Sequence, residues 1–230
     1  MKRSGEYAQR GDYHITPEKD WPYLPVYLEK MKLARSFLDA CPKNDVIYDM
    51  GCGEGALVGE YRNKGYAITG MDANYSSEFV IQRSFLDSGL PDRSVDVLLN
   101  LDVIEHLTYP DQERAVAEFA RILKPGGKAL ISVPNLAHFA SRLSFLFIGK
   151  LIRTSTIDRH PGDRPAGEYL RLLQEHFHIR RRKGLFPTFP LISVLTLHFP
   201  SRIVWLHRVY NRLFALPSLC FLNVFYLERK

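Results

Sequence analysis

Cysteine is scarce in this chain of 230 residues, and the three present, Cys41, Cys52 and Cys220, lie far apart. Such spacing builds neither a disulfide framework nor a cysteine-based zinc site, so reduced thiols and a cytoplasmic setting are expected, with no metal. A Gly-Lys-Ser/Thr ending is also missing, which excludes phosphate-loop chemistry. The first ten residues are polar and charged, without the apolar stretch of a signal peptide. No run approaches the ~18 apolar residues of a membrane-spanning helix. Repeats and low-complexity tracts are lacking too. What remains is an ordinary globular composition, 46% hydrophobic and 24% charged, long enough for one domain with a sizeable core.

Acidic residues are scarce in one part only. Residues 1–150 hold 18 Lys and Arg against 20 Asp and Glu, whereas residues 151–230 hold 13 against 5, a balance of +8. A field of that sign attracts phosphates, whether on anionic lipid, nucleic acid or a nucleotide-activated substrate.

The hydrophobic pattern divides the chain into three stretches. Residues 1–45 read as an irregular arm to Pro25, then a helix from Val26 to Ala40 that Pro42 stops. Residues 46–135 alternate short apolar strands (Val46–Tyr48, Tyr66–Met71, Phe79–Phe85, Val95–Leu101, Lys128–Val133) with helices at Ala56–Lys64 and Asp111–Leu123. That alternation predicts an α/β fold with a mostly parallel sheet covered on both faces. Residues 136–230 complete the same domain with a helix at Glu168–His176, a basic strand at His178–Phe186 and a closing strand at Leu222–Leu227. Between those strands lies an apolar segment, 187–219, in which Ser201–Ala215 forms a basic amphipathic helix. Such a helix suits a membrane surface or the cover of a greasy pocket.

The chemistry concentrates in Val46-Ile47-Tyr48-Asp49-Met50-Gly51-Cys52-Gly53-Glu54-Gly55-Ala56. A strand meets a helix there through a turn without bulky side chains, so a ligand can lie against the backbone. Asp72 follows at the end of the second strand, with Ala73 beside it, where an acid accepts ribose hydroxyls. Gly51, Gly53 and Ala56 also satisfy the relaxed dinucleotide fingerprint, which keeps a nicotinamide-dependent oxidoreductase open. Asp49 pulls the other way: its charge opposes a pyrophosphate and suits a cationic amino acid. Asp87, beside Leu86, is placed to accept from an adenine amino group. Asn100, Leu101 and Asp102 end the fourth strand next to the turn. Four carboxylates, Asp49, Asp72, Asp87 and Asp102, then ring a positively charged sulfonium cofactor.

The runs DMGCGEG, GMDAN, FLDSGLPDRSVDVLLNLDVIEHL and LKPGGKALISVPN resemble the successive motifs of class I S-adenosylmethionine-dependent methyltransferases of the small-molecule type. The resemblance covers about Val46 to Asn135. It implies a Rossmann-like seven-stranded sheet with an antiparallel last strand. It also implies S-adenosyl-L-methionine held by Gly51, Cys52, Gly53 and Gly55 at the methionine part, Asp72 and Ala73 at the ribose, and Leu86 and Asp87 at the adenine. Asn100, Leu101 and Asp102 lie near the methionine end in that family. Val133-Pro134-Asn135, the arginine-containing helix after it and His160 further resemble a subgroup that includes methionine-biosynthesis W-type and glycolipid-cluster methyltransferases, some of which allow a non-catalytic partner role. One departure stands out. Only about six residues separate Met71 from the third strand, where a parallel crossover normally needs a dozen or more, so the usual helix is missing or reduced.

Methyl transfer to oxygen needs a proton removed, usually by a histidine or carboxylate. His106 after the fourth strand, His138 after the fifth and His160 in the loop Asp158–Gly162 are the catalytic candidates. Arg153, Arg159 and Arg164 could hold an anionic acceptor. An Asn-Pro-Pro-Tyr tetrad, which holds a flipped base in families that methylate exocyclic base nitrogens, is absent after the fourth strand, and this disfavours nucleic acid. The expected acceptor is a small molecule or a lipid-linked group, with residues 187–219 covering it and touching anionic membrane from the cytoplasmic side.

Overall fold

The computed structural model describes residues 16–153 and 155–230, so residues 1–15 of the expected N-terminal arm lie outside the described residues. The elements run α1 (Leu24–Asp39), β1 (Ile47–Met50), α2 (Ala56–Asn63), β2 (Ile68–Asp72), β3 (Val80–Gln82), β4 (Val95–Leu101), α3 (Tyr109–Ile122) and β5 (Leu123–Pro134). Then follow α4 (Phe139–Ile148), α5 (Ala166–Gln174), β6 (Phe177–Pro187), α6 (Pro190–His198), α7 (Val204–Phe214) and β7 (Cys220–Arg229). Seven strands form one sheet in the order β3-β2-β1-β4-β5-β7-β6. The pairs from β3 through β5 are parallel, and β7 alone runs against its neighbours β5 and β6. The Rossmann-like sheet with its reversed last strand is therefore as the sequence implied.

Alternation along β4 explains why the sheet carries two cores. Successive side chains point to opposite faces of a strand. Val97 and Leu99 pack with Val26, Met31, Ala34 and Leu38 of α1 and with Leu57 and Val58 of α2. Leu98 packs on the other face with Val116, Phe119 and Ile122 of α3 and Leu172 of α5, and the register shift before Val97 puts Val95 on that face as well. Burying each such side chain contributes roughly 1.5–3 kcal/mol. Helix α3 starts two residues earlier than its hydrophobic pattern indicated. The Thr108 side chain accepts from the Asp111 amide there, and a proline occupies the first turn.

The short crossover is real. Residues 73–79 join β2 to β3 without a helix, and Gly70 still pairs in parallel with Val80. Strand β3 keeps only three residues of the seven its sequence offered, and Phe85–Asp87 turns into a single 3-10 turn instead. Strand β5 is longer than expected, because pairing resumes at Leu123 opposite Val95 with a register shift before Val97. The insertion between β6 and β7 holds two helices. Only α7 was legible; α6 is apolar nearly all round (PLISVLTLH) and so has no helical stripe to read. Among the described residues no helix is long and apolar enough to cross a membrane.

Candidate active site

Parallel strands place their carboxyl ends on one edge, and β1, β2 and β4 bring Asp49, Asp72 and Asp102 there together. A cavity of about 900 Å³ opens at this edge. Asp49, Gly51, Cys52, Asp72, Ala73, Leu101 and Asp102 line it, and so do His106, His138 and His160. Gly53 and Gly55 shape the turn without lining the cavity. Gly51, Gly53 and Gly55 all adopt positive φ, at 79°, 56° and 78°, a region that L side chains enter at a cost. At Gly51 the space is closed as well: a Cβ would meet Val103 Cγ1 at 2.5 Å.

Asp72 organises the turn before any ligand arrives. One carboxylate oxygen accepts the Gly53 amide at 2.9 Å and the other the Asn74 amide at 2.8 Å. Each oxygen has a second lone pair for a ribose hydroxyl. Asp49 sits buried at the end of β1, and burial, with the nearby Asp72 charge, pushes its carboxyl up to about 7. A buried acid held near neutrality answers strongly to a cation.

Asp102 departs from the ring of four charges read in the sequence. Lys30 of α1 donates to it at 2.6 Å, and Tyr23 and Ser132 also donate to it. Burial works to raise this carboxyl, but the Lys30 charge and the three hydrogen bonds hold it below its ordinary range. Its charge is thus matched within the protein. Its backbone carries a left-handed φ of 57°, strain of the kind that collects at functional sites. Asp87 departs further. Its side chain is 86% exposed, loosely paired with Arg83 at 3.8 Å, and neither it nor Leu86 lines the cavity. Asn100 is fully buried and uses its amide to tie β4 to the Met50 carbonyl at 2.8 Å. Of the four acids, Asp49, Asp72 and Asp102 line the cavity, and among the described residues Asp102 alone of these has an ion-pair partner there, Lys30.

The three histidines differ sharply. His138 caps α4: its Nδ1 accepts from the Ser141 amide and lies 2.9 Å from Thr188 Oγ1, while Nε2 donates to the Ile152 carbonyl at 3.2 Å. Burial presses it down to about 4. Both nitrogens are committed, and its role is structural support beside the cavity. His106 and His160 instead meet edge to face, ring centroids 4.5 Å apart. The His106 Nδ1 lies 2.9 Å from the Arg159 carbonyl, and the His160 Nδ1 lies 3.3 Å from Asp163. Beside them is Glu105, 2% exposed, whose carboxyl burial and the Asp102 charge push up.

Tyr23, Lys30, Glu105 and Asp163 are the site residues that sequence reasoning missed. Glu105 stood in the quoted EHL run, next to His106. Lys30 gave no signal, since a lysine on an amphipathic helix normally reads as solvated. Arg153 and Arg159 line the cavity, whereas Arg164 stacks on Tyr109 and donates to Gln112 outside it.

Fold and site together define a Rossmann-like domain whose acidic glycine turn suits a cationic nucleoside cofactor. Residues 48–131 match the family described as Methyltransferase domain. The chain carries a class I S-adenosylmethionine-dependent methyltransferase domain, and S-adenosylmethionine is the cofactor of that class. The "Probable S-adenosylmethionine-dependent methyltransferase" of Mycolicibacterium smegmatis is 36% identical over 110 residues, covering 44% of this chain and 42% of that protein. The ubiquinone biosynthesis O-methyltransferase of Nitrosococcus oceani is 32% identical over 138 residues, covering 52% and 58%. The crystal structure of the PH0226 protein from Pyrococcus horikoshii shares the fold at a TM-score of 0.63 and 12% identity, covering 99% of this chain and 100% of that one. The chain thus spans about half the length of the curated relatives it matches. The domain falls with the methyltransferases and not with the nicotinamide enzymes that the relaxed fingerprint also allowed.

Proposed function

We propose that the chain transfers the methyl group of S-adenosylmethionine to an oxygen of a small-molecule or lipid-linked acceptor. The observation that carries this reading is a shared space: the glycine turn with Asp49 and Asp72 lines the same cavity as the His106–His160 pair. Methyl transfer is an in-line displacement. An acceptor oxygen lone pair forms the new O–C bond as the C–S bond breaks, which leaves neutral S-adenosylhomocysteine. Positioning supplies much of the rate, and the acceptor's hydroxyl proton leaves at the His106–His160 pair. Asp49 and Asp72 hold the cofactor, with Gly51, Cys52 and Ala73 against it. Leu86 and Asp87 stand at the open edge left by the missing helix, where adenine would rest. The named activity of the Nitrosococcus relative, an O-methyltransferase of ubiquinone biosynthesis, favours an oxygen on a molecule with a greasy part.

A membrane-bound acceptor accords with the surface around the insertion. Leu191 and Leu197 of α6, Trp205 and Leu213 of α7, and Leu146 and Phe147 of α4 are each more than 60% exposed. Leu197 also lines the cavity. Arg202 and Arg212 flank these apolar side chains, and their charge favours an anionic bilayer as the occupant. Arg208 has another duty, for it pairs with Glu29 of α1 at 3.2 Å and fastens the insertion to the core.

Thermal melts with S-adenosylhomocysteine, NAD and NADP test the cofactor; stabilisation by the first alone is expected. Mass spectrometry of lipid and aqueous extracts after incubation with labelled S-adenosylmethionine tests the acceptor. Label on a nucleic acid, or on nitrogen, would sink the oxygen reading. Flotation with vesicles containing anionic lipid tests the surface, and failure to float at low salt would reduce 187–219 to a packed lid.

A further inference from the structure

The sequence offered no ligand set for a metal, yet the fold assembles one from two separate stretches. After β4 a 3-10 turn carries Glu105 and His106, and the loop before α5 carries His160. One ligand atom from each of Glu105, His106 and His160 lies within 4.8 Å of the others. The two stretches are clipped together. The Gly162 amide donates to the Glu105 carbonyl at 3.2 Å, and the fully buried Gln112 donates to the carbonyls of Ile104 and Gly162 at 3.1 and 2.7 Å. Tyr169 adds a hydrogen bond to the Gly162 carbonyl at 2.9 Å.

Two observations beyond proximity point to a cation. The first is unmet acceptor capacity: Glu105 Oε2 is buried without a hydrogen-bond partner among the described residues. A buried carboxylate left so costs several kcal/mol unless a proton or a cation compensates it. The second is tautomer control. With its Nδ1 on the Arg159 carbonyl, His106 carries its proton there, which leaves the lone pair on Nε2. Asp163 Oδ1 lies 3.3 Å from Nδ1 of His160, and Arg153 stands 3.8 Å from the other Asp163 oxygen. A histidine held through one nitrogen by a carbonyl or carboxylate is how proteins orient a metal-ligating imidazole.

We propose that Glu105, His106 and His160 bind one divalent first-row transition-metal ion at the wall of the cofactor cavity, with Asp163 as the outer partner of His160. Two imidazoles and one carboxylate suit zinc, iron, cobalt or nickel, whereas magnesium and calcium prefer all-oxygen shells. Bond lengths near 2.0–2.2 Å place ligand atoms about 3–3.5 Å apart, so side-chain rotations of about 1 Å close the site. Three protein ligands leave an open position, and all three residues line the cavity. An acceptor hydroxyl bound there would lose its proton more readily, because a metal ion stabilises the oxyanion. This rests on the proposed function and revises one step of it: with their lone pairs on the ion, His106 and His160 would act on the acceptor hydroxyl through the metal, and its proton would leave to solvent.

The test is cobalt binding to chelator-treated full-length protein, followed by visible absorption and calorimetry. One equivalent of cobalt with nitrogen-and-oxygen d–d bands is expected, displaced by zinc. His106→Ala, His160→Ala and Glu105→Gln should each weaken binding 10–100-fold, while His178→Ala, a surface control, should not. Retained stabilisation by S-adenosylhomocysteine verifies that each variant is folded; if His160→Ala unfolds, His106→Ala and the isosteric Glu105→Gln decide. Absence of cobalt bands in the wild type, or binding indifferent to His106→Ala and Glu105→Gln, overturns the site. A wild type that binds cobalt but not S-adenosylhomocysteine would instead overturn the methyltransferase reading and leave the metal site standing.

Discussion

Residues 46–135 and residues 136–230 contribute to the same sheet but handle their apolar side chains in opposite ways. In the first region β1, β2 and β4 are shut between helices, and Ile47, Ile68, Leu98 and Leu99 have no exposure at all. In the second, β6 and β7 complete the sheet, yet α4, α6 and α7 leave Phe147, Leu191 and Trp205 at 77%, 77% and 64% exposure. A closed region needs a partner only where it opens, at the cofactor edge. The insertion is built differently: it turns both apolar and basic groups outward, and a cavity residue, Leu197, stands on the same helix as exposed Leu191. The contrast is physical: the strand ends that line the cavity are held by packing on both faces, whereas the insertion leaves apolar surface that its own domain does not cover.

The comparison breaks most visibly at the bond between helix and sheet. Lys30→Met leaves Asp102 buried without its cation, and a loss of about 3–5 kcal/mol is expected in urea melts. Lys30→Met with Asp102→Asn should recover most of that loss. A single variant as stable as the wild type would show that α1 is not anchored through this pair.

Asp72→Ala comes next. It removes ribose acceptors and frees the Gly53 and Asn74 amides, so S-adenosylmethionine affinity should fall by about 1.5–3 kcal/mol by calorimetry. Gly53→Val should be at least as harsh, because a branched side chain at a φ of 56° distorts the turn. Vesicle binding should survive both variants, which separates the two regions experimentally.

Asp49 gives a subtler effect with a definite sign. Its folded carboxyl titrates near 7, above the ordinary value of 3.8. Between these values the folded protein holds a proton that the unfolded chain releases, so the stability of the free protein should decline as pH rises through this window. Cofactor affinity should run the other way. The sulfonium of S-adenosylmethionine gains an ionised partner above pH 7, whereas neutral-sulfur S-adenosylhomocysteine gains less. Asp49→Asn should flatten both trends. A ratio of the two affinities that ignores pH from 6 to 8 would remove Asp49 from the cofactor's charge.

The smallest effect lies on the outer surface. Arg202→Gln with Arg212→Gln should weaken binding to anionic vesicles by about 1 kcal/mol per charge, with cofactor affinity unchanged. Arg208→Gln should cost stability more than vesicle binding, because its guanidinium faces Glu29. If Arg208 governs flotation as much as the others, the insertion detaches from the core on the membrane.

Much of the cofactor site was legible because a parallel sheet converts sequence order into position. A glycine turn after β1, an acid after β2 and the end of β4 must meet at one edge, whatever else the chain does. Asp49, Gly51, Asp72 and Asp102 meet at the cavity by that rule, and the helix-free link of residues 73–79 was also legible. Local pattern also located a closing strand and the insertion before it, while the reversal of that strand was implied by the family resemblance alone. Asp87 escaped the rule because β3 is short and its edge uncovered, which lets the side chain turn to solvent. Lys30 meeting Asp102, Gln112 clipping Gly162, and His106 stacking on His160 were beyond reading: partners 50 to 72 residues apart share no spacing that a sequence displays. Whether a charge is matched, a histidine committed or a carboxylate left unmet is decided only when separate elements pack, since desolvation and hydrogen bonding act through space and not along the chain.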